Sequence, residues 1–429
     1  MSRPISLLFV ALAALAPFGA LAENPDEALA REDRIAALER QVQTLIDELG
    51  RLRTESAVPE EKPLEGARGH GPAASKVFGV ARGLSIGGYG EVNYVNPIAD
   101  STSPAQTDAL RLVTYLGYKF NERIQFNSEI EIEHARVESD DAPGEVALEF
   151  ASLDFLWKPE LNFRAGLLLT PMGFINEVHE PPYFYGVFRP LTERVILPAT
   201  WRENGVGVFG NLGEQTEYRA YVMTGFNAEG FSASGIRGGR QEGGESIAEN
   251  FAFVGRLDFT PDAAPGLLVG GSFYTGRADQ NQTPDTSLWI AEGHAQYRNG
   301  PFHGRALFAY SDVSNSGALS TSLGLATDEG IAKSMLGGYV ELAYDVWPLL
   351  FGEDNERALE PFVRFEYIDT QREVASGFAE NHNLAYSVLS TGLSYYPHPN
   401  LVLKAEYRNQ NARSGRRPDE FALGFGFEY

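Results

Sequence analysis

The sequence predicts an all-β transmembrane fold, an antiparallel up-and-down β-barrel of about sixteen strands preceded by a short α-helical coiled coil. Three observations predict it. From about residue 84 onward the hydrophobic pattern has a period of two, as strands require. Short and long connections alternate along the whole series, as in transmembrane barrels with short turns at one end and long loops at the other. The chain also ends on a strand with Phe421, Leu423, Phe425, Phe427 and Tyr429 on one face and Ala422, Gly424, Gly426 and Glu428 on the other. In water such an apolar terminal edge is an aggregation hazard; facing lipid and paired with the first strand, it closes a barrel. An ordinary sandwich strand is the plainer reading of that stretch alone, and the alternating connections decide against it.

Composition narrows the function classes. The 429 residues include no cysteine, which excludes disulfides, thiolate metal sites and a cysteine nucleophile. A formal net charge of −23 argues against nucleic acid as a partner, because phosphate binding needs clustered Lys and Arg. Aromatic residues make up 12% and Gly numbers 45, yet past the N-terminus no run of about 20 apolar residues offers a membrane helix.

Residues 1–22 read as a secretory signal: Arg3, an apolar stretch from Leu7 to Leu15, and a small-x-small site at Ala20-Leu21-Ala22. No cysteine follows that site, so a lipoprotein anchor is excluded. Residues 23–53 read as a periplasmic coiled-coil helix, because Ile35, Leu38, Val42, Leu45, Leu49 and Leu52 follow an a/d heptad seam. An amphipathic helix packed on a domain is the plainer alternative, but no compact domain follows directly. Residues 54–83, rich in Pro, Gly, Ala and charge, read as a linker, and 84–429 as the barrel.

The predicted strands are 84–94, 108–120, 123–137, 145–158, 160–170, 203–211, 214–225, 250–260, 265–277, 287–298, 301–311, 333–346, 358–369, 383–396, 400–410 and 419–429. Asn121-Glu122, Pro159, Leu212-Gly213 and Asn299-Gly300 mark tight turns. An even count puts both termini at the turn end, the periplasmic side. Within strands the faces separate cleanly. Ile124, Phe126, Ile130 and Ile132 oppose Gln125, Asn127, Glu129, Glu131 and Glu133, and a charge on the lipid face would cost about 2–4 kcal/mol for Arg or Lys at the midplane. The charged set therefore faces the lumen. It comprises Arg111, Lys119, Arg219, Arg256, Arg298, Arg364, Lys404 and Arg408, with Glu129, Glu131, Glu133, Glu149, Glu217, Asp258, Glu292, Glu366 and Glu406. A barrel of this size with an ionic lining reads as a wide, wet channel.

The connection 171–202 is too long and too aromatic for a solvated loop. It reads as a segment folded into the barrel, with Glu177, His179, Glu180, Arg189, Glu193, Arg194 and Arg202 as candidates for a pore constriction. A packed lid, or a clasp on a neighbouring subunit, is the plainer alternative.

The strand-to-Pro-x-Gly corner at 166–173 and the Trp201-Arg202-Glu203-Asn204-Gly205-Val206-Gly207 return resemble the bacterial outer-membrane porins, most of all the phosphate-selective porin O and P superfamily, including members with an N-terminal coiled coil. The resemblance implies a homotrimer of sixteen-stranded barrels, each with its third outer loop folded inside. It also implies recognition by the outer-membrane assembly machinery through the last strand ending at Tyr429. The chain departs from the phosphate-selective pattern: its inferred lumen mixes both charge signs and holds no pure basic ladder.

Catalytic readings have little behind them. His179 between Glu177 and Glu180 fits no zinc spacing, and residues 230–235 do not match a nucleophile elbow. The sequence therefore predicts a non-enzymatic outer-membrane porin without cofactor or metal. Its partners would be membrane lipid and small hydrophilic or ionic solutes. The alternative is a surface barrel with a plugged pore that binds a partner through its outer loops.

Overall fold

The computed structural model describes residues 34, 37–38, 40–44, 66–98, 103–135, 144–352 and 356–429. The chain divides into two compact units, Met1–Lys62 and Pro63–Tyr429. In the first unit the described residues are helical; Leu38 and Val42, both on the heptad seam, are 54% and 53% exposed. The signal segment 1–22, residues 54–65 of the linker and the seam positions Ile35, Leu45, Leu49 and Leu52 lie outside the described residues.

The second unit is a closed antiparallel barrel of sixteen strands in sequence order. The strands are β1 (Gly83–Ile98), β2 (Gln106–Asn121), β3 (Ile124–Glu133), β4 (Val146–Lys158), β5 (Leu161–Leu169), β6 (Arg202–Asn211), β7 (Thr216–Thr224) and β8 (Phe251–Phe259). They continue with β9 (Leu267–Arg277), β10 (Ser287–Asn299), β11 (Phe302–Val313), β12 (Ala332–Tyr344), β13 (Ala358–Val374), β14 (Ala385–His398), β15 (Leu401–Ala412) and β16 (Asp419–Glu428). Every predicted strand is present. The largest differences are at loop ends: β1 and β13 run on to Ile98 and Val374, while β3 stops at Glu133. Closure is made by β16 pairing β1, with Tyr89 opposite Glu428, Val92 opposite Phe425 and Asn96 opposite Phe421. Beyond the ladder, the Tyr429 amide donates to Gly88 O at 2.8 Å and the Gly88 amide to Tyr429 O at 3.0 Å.

The outward face follows the pleat. Leu112, Phe155, Phe163, Val206, Phe253, Phe308, Val340, Phe365, Leu403 and Phe425 are all exposed. An apolar belt of that extent around a closed barrel is a lipid-facing surface. Aromatic pairs mark its two margins. Trp157–Phe163, Tyr118–Phe120 and Trp347–Tyr395 lie toward the turn end, and Phe273–Trp289 and Trp289–Tyr310 toward the loop end. In the longest turn, the short helix Trp347–Phe351 leaves Leu349, Leu350 and Phe351 exposed beside this margin.

The inward face differs from the expectation of a wet, ionic lumen. Toward the loop end, β7 to β12 turn Tyr221, Met223, Ala252, Val254, Tyr274, Leu288, Ile290, Leu307, Ala309 and Tyr339 inward. These form one hydrophobic core with Met172, Leu191, Ile196, Leu197 and Trp201 from the β5–β6 loop and Phe226, Phe231 and Ile236 from the β7–β8 loop. The two loops carry apolar groups into the barrel, and the wall residues they meet are apolar for the same reason that any core is.

Candidate functional site

Two segments enter the lumen besides the β7–β8 loop. The first is the loop between β5 and β6, residues 170–201. The wall grips its backbone with charged side chains. Glu406 accepts from the amides of Val187 and Phe188 at 2.7 and 3.0 Å, and Glu366 from that of Leu191 at 2.5 Å. Arg364 donates to the carbonyls of Tyr185 and Phe188, both at 3.0 Å, and Lys404 to that of Phe184 at 2.8 Å. A loop with only short helical turns leaves backbone groups unpaired, and these side chains satisfy them in a buried setting. Glu193 folds the loop on itself: it accepts from the amides of Phe174 and Ile175 at 2.7 and 2.6 Å and from the Tyr339 hydroxyl at 2.6 Å.

The second segment is residues 66–79, the described part of the sequence-predicted linker apart from 80–83. It packs on β1 to β4 with Ala73 and Ala74 in a small core beside Tyr89, Val113, Tyr115 and Phe150. Asn127 holds Ala74 O at 2.9 Å, and Arg68 donates to Gln125 at 3.0 Å. The buried His70 ring lies 4.9 Å from that of Phe150; burial, then Arg164 and Arg219, lower its pKa well below the usual imidazole value, so it is neutral. The segment touches the first loop closely: a side chain at Gly71 would meet the Glu180 carboxylate and push it aside.

The sequence-predicted residues fall into three groups. Most are paired. Arg111 bonds Glu91 at 2.8 Å, Glu131 at 2.9 Å and Glu133 at 3.6 Å. Arg219 bonds Glu217 at 2.7 Å, Glu177 at 3.1 Å and Asp258 at 3.4 Å. Arg256 reaches Asp258 at 2.8 Å, Arg202 reaches Glu149 at 2.7 Å and Arg408 reaches Glu420 at 2.7 Å. Arg364 is fully buried among Glu341, Glu366 and Glu406. A second group ties loop to wall: His179 Nε2 is 3.0 Å from Glu129, and Tyr115 donates to Glu180 at 3.4 Å. Burial disfavours the His179 charge, but Glu129 outweighs it and raises the pKa; burial pushes Glu180 up to about 7 against the pull of His179. Lys119 lies at the turn end, 2.9 Å from Glu122. In the third group Arg189, Arg194 and Arg298 have no carboxylate within ion-pair distance among the described residues, and each lines a cavity.

Those cavities lie on opposite sides of the inner loop. One, of about 480 Å³, opens toward the turn end and is lined by Arg68, Glu177, Arg219, Arg256, Arg298 and Arg305 among others. The other, of about 380 Å³, lies toward the loop end between β1–β2 and the loop's Phe184, Phe188, Arg189 and Arg194. Sequence reasoning did not single out Arg237 of the β7–β8 loop, Arg305 or His294. Arg305 and His294 sit at inward positions of alternating strands and were legible in principle. Arg237 has no periodic signal.

A closed sixteen-strand barrel with an apolar belt, short turns at one end and long loops at the other is a porin-type transmembrane barrel. The chain belongs to the family of a protein from Aquifex aeolicus (strain VF5), described as uncharacterized, with 39% identity over 379 residues, 86% of this chain and 85% of that one. No family model matches the chain. Solved structures of like fold include OmpF of Salmonella typhi in complex with daunomycin (TM-score 0.53, 15% identity, 81% of this chain and 98% of that one). They also include OmpT, an outer membrane protein of Vibrio cholerae, lacking its loop L8 (0.53, 12%, 82% and 100%) and in a trimer form (0.51, 12%, 82% and 100%).

Proposed function

We propose that this protein is an outer-membrane diffusion channel for small hydrophilic or ionic solutes, narrowed by the loop 171–202. The observation that carries the reading is the pair of polar cavities on either side of that loop, inside a barrel whose outer wall is apolar. In this reading the wall excludes lipid, the loop sets the width, and charge on the cavity walls biases what passes. The turn end is periplasmic, the barrels associate as homotrimers, and the N-terminal helix forms a periplasmic coiled coil. The exposure of Leu38 and Val42 supports that last point. Removing residues 23–75 tests whether the helix drives trimer formation: a trimer that survives by native mass ends that role.

A second reading has its own support. Residues 66–79 occupy the lumen on the side of β1 to β4, the inner loop is held by Arg364 and Glu366 of β13 and Lys404 and Glu406 of β15, and a hydrophobic core fills the loop end beside β7 to β12. These features fit a barrel that is plugged at rest. Single-channel recording in planar bilayers separates the readings. The channel predicts stepwise conductance of the full mature chain, in threes for a trimer. The plugged barrel predicts silence from the full chain and conductance once residues 66–79 are removed. Silence from both folded proteins favours a barrel that acts through its outer loops.

A further inference from the structure

The turn between β12 and β13 is built unlike the others at its end of the barrel. Among the described residues, none of the other turns there carries a helix, whereas this one holds Trp347–Phe351. No residue of that helix is buried. Leu349, Leu350 and Phe351 are 71%, 61% and 64% exposed, three large apolar groups in succession. Five residues are too few for a helix to stand by its own propensity, so packing or surroundings must sustain it.

The base of the turn is fixed. Asp345 accepts through Oδ1 from the amides of Trp347 at 2.9 Å and Leu359 at 3.0 Å, and the Val346 amide donates to Leu359 O at 2.9 Å. The Trp347 ring stacks on that of Tyr395 at 5.8 Å, and the Phe351 ring lies 4.4 Å from that of Trp347. Tyr395 shares its side of β14 with Leu389 and Leu393, both exposed on the apolar belt. The helix therefore leans over the outer wall, and its apolar groups continue the belt beyond the strands. The Arg357 guanidinium sits 4.9 Å from the centre of the Trp347 ring. An indole with a cation beside it suits the headgroup level of a bilayer, with the ring toward the acyl chains and the charge toward the phosphates. The stretch that follows, Glu353-Asp354-Asn355-Glu356, is too charged to enter hydrocarbon, which limits how deep the turn can go.

We propose that Trp347–Phe351 is a lipid-binding foot: it enters the bilayer interface at the turn end, with Leu349, Leu350 and Phe351 among the acyl chains and Trp347 at the headgroups of phospholipid. Continuity with the belt names the occupant, because the same medium that covers Leu389 and Leu393 reaches the helix beside them. A second copy of the chain seated on the helix would have to bury the neighbouring acidic stretch as well, whereas lipid leaves that stretch in water. Insertion removes the three apolar side chains from water without any change in the barrel. Only the sector of β12 to β14 carries such a foot, so the wall is held more firmly at the membrane surface there than opposite. The foot goes beyond the channel reading and stands whether or not the barrel conducts.

The chain has no cysteine, so a single introduced one takes a spin label without background. Three variants of the full mature chain are labelled: Leu350→Cys in the foot, Phe365→Cys on the belt of β13, and Ala263→Cys in the exposed β8–β9 turn. Each is reconstituted in vesicles of phosphatidylethanolamine and phosphatidylglycerol. Collision rates are then measured with oxygen, which concentrates in the bilayer, and with a nickel chelate, which stays in water. The oxygen-to-nickel ratio at position 350 is expected to approach that at 365 and to exceed that at 263 by about threefold or more. Adding Leu349→Ser/Phe351→Ser should remove most of that excess at 350, while the ratio at 365 keeps its value and shows the barrel still inserted. Should the serine variant fail to fold, the comparison of the three labels decides alone. A label at 350 as open to nickel as the one at 263 overturns the foot. A label at 350 shielded from both reagents also overturns it, and replaces lipid by a contact with protein. An unchanged ratio in the folded serine variant overturns the role of Leu349 and Phe351.

Discussion

The two halves of the lumen are built from the same strands and differ in what those strands turn inward. Along β8, Ala252 and Val254 near the loop end give way to Arg256 and Asp258 near the turn end. Along β7 the order is Met223 and Tyr221, then Arg219 and Glu217, and along β10 it is Leu288 and Ile290, then Glu292 and His294. Beside β7 to β12 the loop-end half is packed like a protein interior, because two loops bring apolar groups to meet an apolar wall. The turn-end half is an ion-pair network around a cavity. The pleat decides which residues face the lumen, and the loops decide how that face is used.

That contrast can be broken by substitution. Trp201 is fully buried, with its ring 4.7 Å from Phe226 and 4.8 Å from Tyr274. Trp201→Ala is expected to cost about 3–5 kcal/mol, read as a lower urea midpoint for the folded barrel. A cost near zero would mean that the loop-end half is not packed. Glu193→Ala leaves two loop amides and the Tyr339 hydroxyl without their acceptor, at a cost of about 2–3 kcal/mol, and the freed loop should widen the conductance.

A pH series sharpens the boundary between the halves. Glu180 has its pKa raised from 4.5 to about 7, so the folded state holds that proton more tightly than the unfolded state. Stability from this group is full below about pH 4.5 and falls as pH rises to about 7. Glu180→Gln should flatten that part of the urea-midpoint profile, and an unchanged profile assigns the slope to other groups. The smallest effect belongs to Arg298, exposed and unpaired on the turn-end cavity. Arg298→Ala should shift stability by less than about 0.5 kcal/mol while altering the reversal potential in a salt gradient.

Much of the fold was legible because period-two alternation is a direct record of the pleat. Every strand of the barrel, its closure by β16 and the separation of Ile124 and Phe126 from Gln125 and Asn127 follow from it. The packed loop end was not legible. In Phe251-Ala252-Phe253-Val254 both faces are apolar, so the pattern cannot say which set meets lipid and which meets a loop. Residues 66–79 were obscured by their own composition: Gly69, Gly71, Ala73 and Ala74 read as linker, yet small side chains are what let a chain lie close against a wall. Of the loop-end cavity lining, Arg189 and Arg194 stood out within an aromatic, Pro-rich loop. Arg237 depended on a second loop whose course no local pattern encodes.

The inner loop also lies across the line where the barrel closes. Tyr183 donates to Glu428 of β16 at 3.3 Å, Pro181 fills the space that a side chain at Gly426 would take, and the His179 ring meets Tyr89 of β1 at 5.8 Å. The loop is thus a latch on the inside of the seam, fastened to the first strand and to the last. Two ends of a chain that meet only after some 330 residues have been threaded are held by more than their own ladder. It follows that pore width and ring integrity share a part: a change that frees the latch to enlarge the passage also weakens the joint that keeps the wall whole.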